Sequence, residues 1–148
     1  MKDHKIFTFW SLNILIPLFS GLILYLLFRS DTYVSQFIYG IFAIPKNAAI
    51  LCGDSRFFKF IRFYACDILW AYSLTFLLSL IIGHKSIQNI IVFIIALSFD
   101  GTIEFLQKFD IIPGTFDIID ILLEAVITVF ALLIIIHKFN HHTRGKSK

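Results

Sequence analysis

"SFDGTIEFLQKFDIIPGTFDIIDILLEA", residues 98–125, holds Asp100, Glu104, Asp110, Asp117, Asp120 and Glu124, with Lys108 as its single basic residue. These are six of the chain's ten carboxylates, gathered in 28 positions that are otherwise mostly apolar. The Pro113-Gly114 pair near its middle marks a turn. Before the turn, Asp100, Glu104 and Gln107 stand at i, i+4 and i+7, which is one stripe of a helix. After it, Asp117, Asp120 and Glu124 stand at i, i+3 and i+7, again one stripe. The stretch therefore reads as two ends of an antiparallel helical hairpin. At ~1.5 Å of rise per residue, Asp100 and Glu124 each lie ~10 Å inside their helices, at matched depth.

The rest of the chain says what medium surrounds that hairpin. It has 148 residues, 58% of them hydrophobic, 18 of them Phe, and a mean hydropathy of +0.84. That composition lies outside the range of soluble domains. A helix needs about 20 apolar residues to cross a bilayer core of ~30 Å. Four segments meet this: about 6–28, 63–82, 87–106 and 117–137. The expected fold is an all-α integral membrane protein, one domain over residues 1–148, built as a four-transmembrane-helix bundle. The first segment is too long for a secretory h-region, and no small-x-small cleavage site follows it, so it is read as a retained span. Cys52 and Cys66 are read as two thiols rather than a disulfide.

Between the first two spans, "TYVSQFIYGIFAIP" is apolar and aromatic but too short to cross, which predicts a re-entrant or interfacial segment ending at Pro45. In "RFFKFIRFY", Arg56, Lys59 and Arg62 sit among aromatics, as in a headgroup-level belt. With both termini inside, seven Lys/Arg lie on the inner side and six on the outer. The inner ones are concentrated in short segments and tails, where positive-inside bias acts most strongly, so both termini are expected to be cytoplasmic. The basic tail "HKFNHHTRGKSK" fits that retention and contact with anionic lipid, not nucleic acid.

In either orientation, the start of span two, the end of span three and the start of span four share one membrane face. Asp67 joins the two stripes there, so the candidate ligand-binding set is Asp67, Asp100, Glu104, Gln107, Asp117, Asp120 and Glu124. Asp117 and Asp120 also fit an N-cap and a first-turn acid. Asp100 and Glu124 are too deep to cap, and Glu104 near a helix C-terminus opposes the dipole. An ionisable group at such depth costs on the order of 2.5–3.5 kcal/mol and faces a bundle interior or aqueous cavity. Three ways to offset the charge stay open. Some acids are protonated, or Arg56, Lys59 or Arg62 folds in, or a hard divalent cation such as Mg²⁺ or Ca²⁺ sits among the oxygens. No Cys/His spacing in these spans suits zinc.

These residues resemble the VanZ-like family of small bacterial membrane proteins. The family's pattern is an acid opening one span, Glu-x-x-Gln closing the next and Asp-x-x-Asp opening the last. Here it is matched by Asp67, "EFLQ" (Glu104 to Gln107) and "DIID" (Asp117 to Asp120), over a motif region of about residues 63–137. The chain departs from the family in three places. Asp67-Ile68-Leu69-Trp70 stand where family members often have Asp-Lys-x-x-His, Gly114-Thr115 replace an Arg, and Glu124 replaces an Asn. Chemistry that depends on those groups does not transfer. The resemblance implies a multi-pass protein of the bacterial plasma membrane, an accessory of the cell envelope linked to resistance to the lipoglycopeptide teicoplanin. Its implied partners are membrane lipid and a lipid-linked envelope precursor or the lipoglycopeptide itself; a second copy of the chain, which could supply further polar residues, is a separate expectation.

Three function classes fit the residues. The first is a protein that binds a lipid-linked or lipophilic ligand at an acidic groove on the outer face. The second is a carboxylate- or metal-dependent intramembrane enzyme, since paired acids can divide acid and base roles, although no Ser, Cys or His stands as an evident nucleophile. The third is a proton-coupled transporter, which would need polar groups continuing to the opposite face, where spans three and four offer little beyond Asn89 and Thr128.

Overall fold

The computed structural model describes residues 2–28, 37–38, 40–41, 60–112 and 116–144. Four long helices dominate: α1 (Lys2–Phe28), α2 (Cys66–Ile82), α3 (Ser86–Lys108) and α4 (Ile118–Arg144), with no strand among the described residues. A π-turn, Ile61–Ala65, leads directly into α2. Three helices carry apolar runs long enough to cross a membrane, Ile6–Leu27, Ser86–Lys108 and Ile118–Phe139. The molecule is therefore an all-helical membrane bundle. The regular part of α2 has 17 residues, fewer than the about 20 of a free-standing span. It packs against each of the other three helices, so protein as well as lipid meets its surface.

The surface is apolar, and the interior joins an apolar core around Phe76, Val92 and Ile135 to a set of buried polar groups. Ile87, Ile90, Ile94, Phe99 and Phe105 of α3, and Ile118, Leu122, Val126, Val129 and Leu133 of α4, point outward. Buried between the helices are Ser73, Thr75, Ser79, Asn89, Asp100, Glu104 and Thr128. In lipid the exterior needs no polar coat, while buried polar groups join helices by hydrogen bonds.

Cross-helix hydrogen bonds set the register. Against α1, the Ser73 hydroxyl donates to the carbonyl of Ile14 (2.8 Å), the Tyr72 hydroxyl to Asn13 Oδ1 (2.6 Å) and the Cys66 thiol to the carbonyl of Gly21 (3.5 Å). Positions rising along α2 fall along α1, so the two are antiparallel. Gly21 is buried, and a Cβ there would lie 2.7 Å from Trp70 Cδ1 and 2.8 Å from its Nε1. Glycine is what lets the indole lie on the α1 backbone. Between α2 and α4, Tyr64 bonds Asp117 and Thr75 bonds Thr128, both at an offset of 53, so these two helices run parallel.

The turn joining α2 to α3 is tied by Gln88. Its amide donates to the carbonyl of Ile82 (2.7 Å), and its Oε1 accepts from the N–H of Lys85 (2.9 Å). Gly83 there has φ 111°, a backbone region that side chains rarely adopt. At the same end Phe9, Trp10, Phe76 and Phe139 form an aromatic cluster, and His84 stacks on Phe139 with ring centroids 4.0 Å apart.

The span expected over about 117–137 falls on the apolar run Ile118–Phe139, and α4 continues beyond it as helix to Arg144, so the basic tail begins as helix. Most of the expected re-entrant or interfacial segment, with Cys52, Arg56 and Lys59, lies outside the described residues, and only 37–38 and 40–41 of it are described, as helix.

Candidate functional site: a carboxylate cluster at one end of the bundle

The acidic stretch folds as a hairpin between α3 and α4, and the outermost contact is the one that closes it. Asp117 is the N-cap of α4. Its Oδ1 accepts from the N–H of Ile119 at 2.9 Å, its Oδ2 accepts from the Tyr64 hydroxyl at 3.4 Å, and its own N–H donates to Glu104 Oε2 at 2.9 Å. The capping role expected for Asp117 is therefore observed. Glu104 goes beyond its sequence reading, which gave it no capping part. Its carboxylate reaches from α3 to a backbone N–H at the N-terminus of α4, where negative charge is favoured by the helix dipole.

Asp110, the sixth acid of the stretch, stands apart. It is exposed and has φ 54° just past the end of α3. Its N–H donates to the carbonyl of Gln107 and that of Ile111 to Leu106, each at 3.0 Å. This is a Schellman closure, and Asp110 occupies the left-handed position that Gly or Asn usually fills.

Stepping inward one turn at a time, the registers stack the helices in layers. Tyr64, Asp117 and Glu104 form the outermost. Asp67, Asp120 and Asp100 come next, then Ala71, Glu124 and Ala96. Thr75, Thr128 and Val92 follow, and last come Ser79, Leu132 and Asn89. Consistent with this order, Glu124 lies within electrostatic reach of Asp100, Asp67, Asp120 and Glu104, and Asp100 within reach of Asp67. Gln107 is half-buried at the mouth. The hairpin and α2 thus bring the seven candidate residues to one end of the bundle.

At Asp100 and at Glu124 one carboxylate oxygen meets no hydrogen-bond partner among the described residues. Asp100 is 7% exposed, and its Oδ2 is buried without a hydrogen-bond partner. Glu124 Oε2 is likewise buried and unpartnered. Leaving such a group unsatisfied costs about 1–3 kcal/mol, more when charged. Both face inward, because Asp100 continues the buried stripe Asn89, Val92 and Ala96 of α3, and Glu124 precedes buried Thr128 and Ala131 on α4. These oxygens are acceptors when ionised and donors when protonated, so they suit a partner bearing hydroxyl, amide or ammonium groups. Among the described residues no three His, Cys, Asp or Glu side chains are grouped to hold a metal ion.

Sequence reading missed Tyr64 and the polar face of α2. Ala71, Thr75 and Ser79 continue the stripe begun by Asp67 at four-residue steps and are all buried. That periodicity was present in the sequence, masked by the small size of its members in an apolar run. No family model, curated protein or solved structure matches the chain.

Proposed function

We propose that this chain is a VanZ-like accessory protein of the bacterial plasma membrane and cell envelope, with both termini cytoplasmic. In this reading the carboxylate cluster opens toward the outer leaflet and binds the polar head of a lipid-linked or lipophilic ligand. The observation that carries it is the pair of buried oxygens, Asp100 Oδ2 and Glu124 Oε2, set between helices with no hydrogen-bond partner among the described residues. Their chemistry calls for a ligand rich in hydrogen-bond donors. A lipid-linked envelope precursor, or a lipoglycopeptide with an acyl chain and many hydroxyl and amide groups, supplies such a head together with an apolar part that the outward-facing Phe and Ile residues can accompany. The ordered motifs Asp67, Glu104 to Gln107 and Asp117 to Asp120 support the same assignment.

The test is teicoplanin susceptibility of bacterial cells expressing the chain, with membrane levels matched by immunoblot. Wild type is expected to raise the inhibitory concentration, and Asp100→Asn with Glu124→Gln to return it to the empty-vector value. Protection by the double variant equal to wild type refutes the assignment of the site, and no protection by wild type refutes the link to lipoglycopeptides. Asp100 and Glu124 are better targets than Glu104 or Asp117, whose hydrogen bonds hold the hairpin together.

A further inference from the structure

Polar groups do not stop at the acid cluster. One turn inward from Glu124 on α4 lies Thr128, fully buried, its hydroxyl oxygen 3.4 Å from that of Thr75 on α2, whose own O–H donates to the carbonyl of Ala71 at 2.7 Å. One turn beyond Thr75 lies Ser79, 1% exposed, whose Oγ is buried with no hydrogen-bond partner. At the same level α3 contributes Asn89, 8% exposed, with Oδ1 unpartnered and Nδ2 donating to the carbonyl of His84 at 3.4 Å. His84 is exposed in the turn at the face opposite the acids. Three helices therefore align Asp67, Asp100 and Asp120, then Glu124, then Thr75 with Thr128, then Ser79 with Asn89, from one face of the bundle to the other. Successive levels are one helical turn apart, ~6 Å along the axis, which is the span of one water hydrogen-bonded on both sides.

Helix-to-helix adhesion alone does not account for this line. A serine that joins helices donates its hydroxyl to a neighbour, as Ser73 does to Ile14. The Ser79 Oγ and Asn89 Oδ1 have no such neighbour among the described residues, and a buried polar atom in that condition is ordinarily satisfied by internal water.

We propose that this buried line is a proton path through the bundle, carried by Glu124, the Thr75–Thr128 pair, Ser79 and Asn89 with bridging waters. A proton from water at the acid face protonates a carboxylate of the Asp67, Asp100 and Asp120 layer and passes to Glu124. From there each hydroxyl or water takes a proton on one side and releases one on the other. The last water, at Ser79 and Asn89, delivers it beside the His84 turn. One proton enters, one leaves, and no group changes oxidation state. This activity stands independently of ligand binding at the cluster.

The experiment uses the purified full chain in liposomes with a trapped pH-sensitive dye and a potassium diffusion potential set by valinomycin. Wild type is expected to acidify the lumen faster than protein-free vesicles do. Thr128→Val keeps the shape and removes the hydroxyl, and Glu124→Gln removes the titrating group, so both are expected to fall to the protein-free rate. Thr128→Ser keeps the hydroxyl and is expected to retain flux, which adhesion between helices would not require. Circular dichroism of each variant confirms its helix content. Wild-type flux no greater than that of empty vesicles, Thr128→Val flux equal to wild type, or equal loss in the Ser and Val variants overturns the proposal.

Discussion

Replacing Glu104 separates a helix-capping role from a purely ligand-binding one. The side chain is 6% exposed, and Oε2 accepts the N–H of Asp117 at 2.9 Å. A hydrogen bond to a charged group contributes about 1.5–3 kcal/mol. Removing it also uncovers a donor at the first turn of α4 and deletes a negative charge from that helix's positive end, worth a further ~0.3–1 kcal/mol. Glu104→Ala should therefore cost about 2–4 kcal/mol. Glu104→Gln keeps an acceptor oxygen at the same reach; the neutral bond is roughly half as strong and the charge at the helix end is lost as well, so the loss should be about 1–2 kcal/mol. At ~2–4 °C per kcal/mol for a chain of this size, the melting temperature in detergent should fall by roughly 4–16 °C for Ala and by roughly half as much for Gln. Amide exchange gives the site-specific readout. The N–H of Asp117 should lose protection in the Ala variant and keep most of it in the Gln variant. Equal destabilisation by the two substitutions, or an Asp117 amide still protected in Glu104→Ala, would refute the capping role.

Two further outcomes follow from backbone positions. Gly21→Ala should destabilise the α1–α2 contact by about 1–3 kcal/mol, since its Cβ would meet the Trp70 indole. The same change in a Trp70→Ala background should cost much less, and equal cost in both backgrounds, read by thermal unfolding, would sink the explanation. Gly83→Ala should cost about 1–3 kcal/mol through its φ of 111° and its crowding of Gln88, whereas Gly101→Ala, where a Cβ meets nothing within 4 Å, should cost far less. Comparable melting shifts for the two would argue against the strain at Gly83.

Much of the fold was legible because a spanning helix is declared by length and apolarity alone. The hairpin was legible as well, since Pro113-Gly114 and the two acidic stripes predict antiparallel helices facing each other. The partners of individual oxygens could not be read this way. Spacing places Glu104 on the stripe, but only the approach of α4 decides that its carboxylate meets the N–H of Asp117. Likewise, nothing local in Tyr64 reveals a bond to a residue 53 positions away. The interior face of α2 was overlooked because Ala71, Thr75 and Ser79 barely lower the hydropathy of a window rich in Leu and Ile. Asp110 had the opposite fault. It was conspicuous by charge, yet it serves the backbone at a helix end.

The central position of α2 bears on how the bundle is made. A segment with Asp67 at one end and buried Ser73, Thr75 and Ser79 along it is a poor passenger on its own when it leaves the translocon, because those groups would face acyl chains. Of the four long helices, α1 comes before it in the chain. Gln88 ties the turn after α2 into a tight link, which pairs α2 with α3 as a hairpin that covers one polar flank. The partner of Thr75 and the N–H that satisfies Glu104 arrive only with α4. Of the four long helices, the one translated last closes the buried polar groups against lipid, and quality control would act on chains stalled before that step.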